Sequence, residues 1–374
     1  MRILFDYRPA LRQRTGVGEY VHETAKALVA SLAPGDALTL FSSSWKDRLS
    51  PDAVPGAATI DRRIPVSLLN LAWHRLGWPP IDMLGAGDQD VVCSAHPLLI
   101  PARRAAQIVT IHDLDFLDAP ERTSAEIRRD YGALAGAHAR RADRVIAVST
   151  HTAHDVETRL GVPASKISIC RPGGPSWPRR DREPASGGCI LFLGTLEPRK
   201  NLGVLLDAYA ALLAQRRDAP PLVLAGRVPD EPGARALAAR ARQAPLAGHV
   251  ELPGYVSDED KRALFGRALV FVLPSHTEGF GITAVEAMTA GVPVIAANRG
   301  ALPETVGSAG RLFAPDDASA LLWAMTEVFD DAALRQRMSD DGWRHAQQFT
   351  WARTASAVRE ACRLAIEHRA TRHD

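Results

Sequence analysis

The stretch Leu269-Val270-Phe271-Val272-Leu273-Pro274-Ser275-His276-Thr277-Glu278-Gly279-Phe280-Gly281-Ile282-Thr283-Ala284-Val285-Glu286-Ala287-Met288 decides how this chain folds. Its first residues form a short apolar run of branched and aromatic side chains, the composition of a buried parallel strand, and Pro274 closes it. The residues after Pro274 read as a helix whose first turn carries Gly279 and Gly281. Glycine there lets a ligand approach the backbone, and the unpaired amides of a first helical turn, at the positive end of the dipole, hold an anion. A phosphate is the expected ligand. Glu278 belongs to the loop at the carboxyl end of the strand, where open α/β sheets bind ligands. Glu286 lies eight residues further on, read here as roughly two turns along the helix. The two carboxylates bracket a phosphate turn and address different parts of one ligand, so neither needs to move a proton.

On both sides of this segment, strand-like runs alternate with helical patterns along the whole chain. Ile3–Phe5, Ala37–Phe41, Val91–Cys93, Gln107–Ile111, Arg144–Val148 and Lys166–Ile169 precede a lapse in the pattern. Cys189–Gly194, Leu222–Gly226, Leu269–Leu273 and Pro293–Ala296 come after it. Such alternation means parallel sheets covered by helices. The lapse, between Arg171 and Gly188, is rich in proline, glycine and charge, the composition of an exposed linker. The expected organisation is a first domain over 1–178, a linker over 179–188 and a second domain over 189–351, with a last helix, 352–374, packing back on the first domain. Thr350 is the expected cap of that helix.

Length and composition agree with two ordinary cores: 374 residues, 46% hydrophobic. A formal net charge of only +2 gives no large basic face, so nucleic acid is not an expected partner. Cys93, Cys170, Cys189 and Cys362 are scattered and form no CxxC pair, which argues against a zinc site or a disulfide framework and for a reducing compartment. The amino terminus reaches Asp6 after three apolar residues and reads as a first strand, not as a secretory segment. No apolar stretch approaches the roughly 18 residues of a spanning helix. A cytoplasmic protein, at most peripheral on the inner face of the plasma membrane, is expected.

A second strand-to-helix turn, Gly194-Thr195-Leu196-Glu197-Pro198-Arg199-Lys200-Asn201-Leu202, places two cations at the carboxyl end of the same sheet. They suit a diphosphate. The spacing is not that of a Walker loop, which disfavours ATP or GTP hydrolysis. Taken in order, this turn, then Leu252-Pro253-Gly254-Tyr255-Val256-Ser257-Asp258-Glu259, then Pro274-Ser275 with Glu278-Gly279-Phe280-Gly281 and Glu286-Ala287-Met288, then Gly291-Val292-Pro293-Val294-Ile295 and Ala301-Leu302-Pro303-Glu304, resembles the family-four retaining glycosyltransferases of the GT-B fold.

That resemblance implies an α/β architecture of two Rossmann-like doubly wound domains facing across a cleft, the second holding a nucleotide-sugar donor and the first the acceptor. It implies that Glu278 faces the donor hexose and Glu286 the ribose hydroxyls. Amides around Gly279, Phe280, Gly281 and Ile282 would hold the diphosphate with Lys200, and Tyr255 would flank the base. Many members carry an arginine where this chain has Thr195, a position expected at the donor, and Arg199 is the candidate to supply that charge. Members of similar sequence are bacterial mannosyl- and deoxyhexosyltransferases of polysaccharide assembly, such as lipopolysaccharide O-antigen. GDP-mannose is therefore the first donor expected, with dTDP- or UDP-sugars as alternatives, no cofactor required, and a glycan or polyprenyl-linked glycan as acceptor. A GT-B sugar-nucleotide epimerase or phosphorylase, and a non-enzymatic two-lobed sugar-binding protein, share several of these features.

In the first half, Arg14-Thr15-Gly16-Val17-Gly18-Glu19-Tyr20 comes after the first strand but lacks the third glycine of a dinucleotide fingerprint, Val21 standing there. The resemblance assigns Gly16 to the donor diphosphate and His112, in Thr110-Ile111-His112-Asp113-Leu114, to the donor sugar. His112, Asp113 and Asp115 are chemically admissible metal ligands, but no helix-spaced partner histidine accompanies them, and no metal is assigned. Residues 62–79 combine Arg62, Arg63 and Arg75 with Trp73, Trp78, Leu68, Leu69, Leu71 and Leu76, a composition that suits either an interfacial helix on anionic lipid or an ordinary amphipathic core helix.

Overall fold

A computed structural model describes all residues of the chain except 12, 13, 15, 121–124, 182, 185, 186, 373 and 374. Its contacts divide the chain into two units, Met1–Gly173 with Thr350–Asp374, and Gly174–Phe349.

The first unit is built on strands β1 (Arg2–Asp6), β2 (Ala37–Ser43), β3 (Ala58–Arg62), β4 (Val91–Ser94), β5 (Ala106–Ile111), β6 (Arg144–Ala147) and β7 (Ile167–Ile169), in the order β3-β2-β1-β4-β5-β6-β7 with every pair parallel. Ile3, Leu4, Val91, Ile108 and Val109 are fully or almost fully buried, as expected of central strands covered on both faces. The helix Trp351–Ala370 belongs to this unit. Thr350 caps it by accepting from the Arg353 amide, and Cys362 brings its Sγ to 3.6 Å from Cys93 of β4.

The helix Val66–Leu76 corrects part of the reading of 62–79. Trp73 and Leu69 are core residues, each 2% exposed. The Trp73 indole donates to Pro79 O at 2.8 Å and lies under the Arg8 guanidinium. Leu68, Leu71, Leu76 and Trp78 form the exposed set instead. Helical periodicity explains the split, since residues three or four apart share a face and the indole at 73 falls on that of Leu69.

The second unit carries β8 (Cys189–Leu193), β9 (Leu222–Ala225), β10 (Val250–Gly254), β11 (Ala268–Leu273), β12 (Val294–Ala297) and β13 (Arg311–Phe313), all parallel, in the order β10-β9-β8-β11-β12-β13. Strand order reverses between β8 and β11. Connections leave these two neighbours toward opposite faces, and a crevice opens at their carboxyl ends. β3, β10 and β13 were not legible as strands. Each lies at a sheet edge, where half-exposed or very short segments need little apolar sequence. β10 contains Pro253, tolerated because an edge strand has one unpaired side and because the register shifts between Glu251 and Gly254.

The stretch expected as an exposed linker is tied to the second unit. Arg179 donates to Ser339 Oγ at 3.0 Å and pairs with Asp340, the Arg180 amide donates to Ala290 O at 3.2 Å, and Glu183 pairs with Arg335 at 2.5 Å. Burial pushes the Arg180 guanidinium down to about 10. The charges of Arg179, Arg180 and Glu183, which in sequence suggest solvation, are met by Asp340, the Ala268 carbonyl and Arg335, and the contact boundary falls earlier, at Gly173 and Gly174.

The ends of β8 and β9 meet through glycine. Gly226 has φ 145°, and a Cβ on it would lie 1.9 Å from the carbonyl oxygen of Gly194. Gly226→Ala is expected to lower stability by about 2 kcal/mol or more through backbone overlap and strain. Gly203→Ala, where an added Cβ meets nothing within 4 Å, should be neutral or slightly stabilising. Paired thermal melts of the two variants check the contrast.

Candidate active site

Both walls of the crevice in the second unit carry charge. After β8, Pro198–Lys200 forms a single 3-10 turn, and Asn201 comes next at φ 50°, its amide group donating to Pro315 O at 2.6 Å. The helix Leu202–Gln215 then begins. This tight entry directs Lys200 inward. Its Nζ sits 2.6 Å from Glu278 Oε1 in the loop after β11, and Ser275 Oγ donates to the same oxygen at 2.7 Å. Arg199 reaches Glu197 at 2.5 Å, donates to Thr277 O at 3.2 Å, and holds Nη1 3.7 Å from Glu278 Oε2. Thus Lys200, Arg199 and Glu278, assigned from separate motifs, meet at one point. Ser275 joins them; its spacing of three from Glu278 was visible in sequence, but not its direction.

The pair is almost dry, with Glu278 8% and Lys200 9% exposed. Burial alone would push the Glu278 carboxyl up, but the Lys200 and Arg199 charges prevail and hold it below the usual range. Burial, with Arg199 close by, draws the Lys200 ammonium down, against the opposing pull of Glu278. Lys200 and Arg199 face two carboxylates, Glu278 and Glu197, so the crevice floor presents two cations in a cluster whose formal charges balance.

The helix after β11 is Ile282–Thr289, so Gly279 and Gly281 precede it and do not occupy its first turn. Gly281 is its cap residue at φ 94°, a conformation that other residues avoid, and its side-chain position would fall 2.8 Å from Leu302 Cδ2. A glycine cap leaves the first amides of the helix uncovered by any capping side chain. Phe280, between the glycines, is a core anchor packed edge-on against Phe349 at 5.3 Å, and Thr305 Oγ1 donates to its carbonyl at 2.6 Å. Gly300 lets the loop after β12 close on Glu278. A Cβ there would lie 3.0 Å from Glu278 O, and the Ala301 amide donates to that oxygen at 3.1 Å.

Glu286 is the fifth residue of this helix, little more than one turn from its start rather than two. Burial pushes its carboxyl up, opposed by Lys261, whose Nζ lies 2.7 Å from Oε1. Lys261 had no local signal in sequence, because the β10-helix-β11 crossover alone brings it to Glu286. Tyr255 lies between β10 and the helix Asp258–Arg267 and is 46% exposed, so its ring is not spent on core packing. Thr195, in the loop after β8, is partly buried, and its carbonyl accepts from the Glu197 amide at 2.9 Å.

His112 and Gly16 belong to the first unit. His112 comes directly after β5; its Nε2 lies 3.2 Å from Ala95 O, and the Tyr20 ring meets it edge-on at 5.1 Å. A carbonyl only accepts, so Nε2 carries the proton and Nδ1 keeps a lone pair. Burial lowers the imidazole pKa despite the Ala95 carbonyl and Asp113. The ring is therefore neutral and able to accept from a hydroxyl. Gly16 caps the helix Val17–Ala30 at φ 51° with open space where a side chain would stand, whereas Gly18 is forced by packing, a Cβ there lying 2.8 Å from Pro9 O. The neighbouring Thr15 lies outside the described residues.

The doubly wound sheet with its charged crevice at the switch point gives the fold class, and comparison with known proteins gives the family. Residues 176–344 match the family described as glycosyl transferases group 1, and residues 14–173 match glycosyltransferase family 4. The chain is 28% identical to the O-antigen chain mannosyltransferase B of Escherichia coli over 97% of its own length and 100% of that protein. It is 31% identical to a glycogen synthase of Mycobacterium tuberculosis, covering 75% of this chain and 68% of the relative. The solved structure of Anabaena Alr3699/HepE in complex with UDP-glucose superimposes with a TM-score of 0.73 at 19% identity, covering 96% of this chain and 98% of that one. The chain belongs to the group 1, family 4 glycosyltransferases and has their GT-B fold.

Because the folded pKa of Glu278 lies below the ordinary 4.5, its pair contributes stability that is complete above that value and is lost as pH falls through the folded pKa. Melting temperatures measured from about pH 5 downward should fall for the native chain and fall less steeply for Glu278→Gln. Parallel curves would show that the pair does not titrate as described.

Proposed function

We propose that the chain transfers a hexose from a nucleoside diphosphate sugar to a glycan or polyprenyl-linked glycan, with retention of anomeric configuration and without a metal ion. The observation that carries this is the buried Lys200–Glu278 pair beside Arg199 and the glycine-capped helix at the β8/β11 switch point. Departure of a nucleoside diphosphate from an anomeric carbon accumulates negative charge on phosphate oxygens. Cations and helix amides already fixed in place stabilise that charge without reorganising at the moment of reaction. In this reading Lys200, Arg199 and the amides after Gly279 act on the diphosphate, Glu278 faces the hexose and Glu286 the ribose, while Tyr255 and Thr195 border the nucleotide. From the first unit, His112 accepts from a sugar hydroxyl and Gly16 admits the diphosphate. No side-chain nucleophile is assigned: attack on the face of departure lets the leaving phosphate take the acceptor proton.

Mannose from GDP-mannose is the first donor, supported by the mannosyltransferase that matches over essentially its full length. A UDP-sugar is the second reading, supported by the UDP-glucose complex of the similar fold. Glu278→Ala and Lys200→Ala are each expected to lower the transfer rate by about 100-fold or more, with near-native turnover in either removing the site assignment. Thermal shifts with GDP, UDP and dTDP and their sugars identify the base, since a ligand bound by the folded state alone raises the melting temperature.

The acceptor reading includes a lipid surface. No helix among the described residues is long and apolar enough to cross a membrane. Leu68, Leu71, Leu76 and Trp78 are nonetheless exposed on and beside the helix Val66–Leu76, with Arg63 and Arg75 exposed next to them. A peripheral position on an anionic inner leaflet fits that composition. Co-sedimentation with phosphatidylglycerol vesicles should weaken for Leu76→Ser with Trp78→Ser, and equal recovery of variant and native chain would end the lipid reading.

A further inference from the structure

Lys261 is held on three sides. It stands in the first turn of the helix Asp258–Arg267, which Ser257 caps by accepting from the Asp260 amide. Its ammonium lies 2.7 Å from Glu286 Oε1, 3.4 Å from Asp258 Oδ1 and 5.2 Å from the centre of the Trp177 ring, which itself packs on Phe265 at 5.9 Å. The side chains of Lys261 and Glu286 are 13% and 6% exposed. Such burial is costly for a long, strongly hydrated cation unless it is paired.

Its effect falls on Glu286. The ammonium occupies Oε1, and no described side chain hydrogen-bonds Oε2. A carboxylate gripped at one oxygen by an immobile donor has a defined orientation for the other. Burial and the Asp258 charge both push the Glu286 proton on, and Lys261 is the charge that opposes them. Protonated, the group would give up an acceptor site; ionised and fixed, it accepts from both members of a vicinal diol.

We propose that Lys261 is the positioning residue through which the donor pocket selects ribose over 2′-deoxyribose, by fixing Glu286 to accept from the 2′- and 3′-hydroxyls together. The inference rests on the reading of Glu286 as the ribose ligand, and it narrows the donors to ribonucleotide sugars, with dTDP-sugars selected against.

Calorimetry on the full chain with GDP and 2′-deoxy-GDP, and with UDP and 2′-deoxy-UDP, tests it. For the base that binds, the native protein should prefer the ribonucleotide about tenfold or more, the scale of hydrogen bonding to a charged group, and Glu286→Ala should erase that preference. Lys261→Met should lose most of the preference by weakening the ribonucleotide alone, and Lys261→Arg should restore it. A Lys261→Met protein with the native preference, or one that loses both forms equally, overturns the positioning role. The latter would place the cation on the phosphates. If native protein shows no preference, or Glu286→Ala keeps it, the ribose reading of Glu286 has failed and the role of Lys261 falls with it. Melting temperatures confirm folding, and Lys261→Gln serves where the methionine variant does not fold.

Discussion

A carboxylate and an ammonium taken out of water together constrain everything around them. The Lys200–Glu278 pair is short, Ser275 donates to the same carboxylate oxygen and the Arg199 charge stands 3.7 Å from the other, support that a buried pair needs because desolvation of two ions otherwise exceeds their attraction. That requirement explains the shape of the surrounding turns. The 3-10 turn with its left-handed Asn201 aims the lysine, Gly300 lets the next loop close on the glutamate backbone, and Gly281 ends the loop and opens the helix. The two cations held there, Lys200 and Arg199, are the groups a diphosphate would use.

The second acidic position is built on a different balance. At Glu278 two cations outweigh burial and draw the carboxyl below its ordinary value; at Glu286 burial outweighs Lys261 and pushes it above. Two glutamates that look alike in sequence are thus given unlike electrostatics by their partners. One belongs to a charged network at the crevice between β8 and β11. The other is buried beside a single lysine that opposes, without cancelling, the effect of burial.

Much of the fold was legible because central parallel strands, buried on both faces, must be apolar along their whole length. Every central strand showed itself in this way. β3, β10 and β13 did not, because edge segments carry Asp61, Pro253 or Arg311 without cost. Proline, glycine and charge misled in the stretch before β8: composition cannot distinguish an arginine in water from Arg180, half-buried with its guanidinium on the Ala268 carbonyl and its backbone amide on that of Ala290. Trp73 misled similarly, since an indole beside basic residues suits a lipid surface until helical phase turns it toward Leu4 and Phe41.

By itself the sequence determined the α/β class, the order of the motifs, the glycine turn at Gly281 and which strand ends carry Lys200, Arg199, Glu278 and Glu286, because each of these is written in neighbours within one strand-turn-helix unit. Only the tertiary structure decided which groups meet. Lys200 and Glu278 are 78 residues apart, Lys261 and Glu286 are 25 apart, and no local pattern records either pairing. The reversal of strand order between β8 and β11 brings the first pair together, and the crossover from β10 to β11 the second. Charge state depends on those encounters, since a carboxyl pKa is set by the burial and the cations around it and not by the residues beside it in the chain.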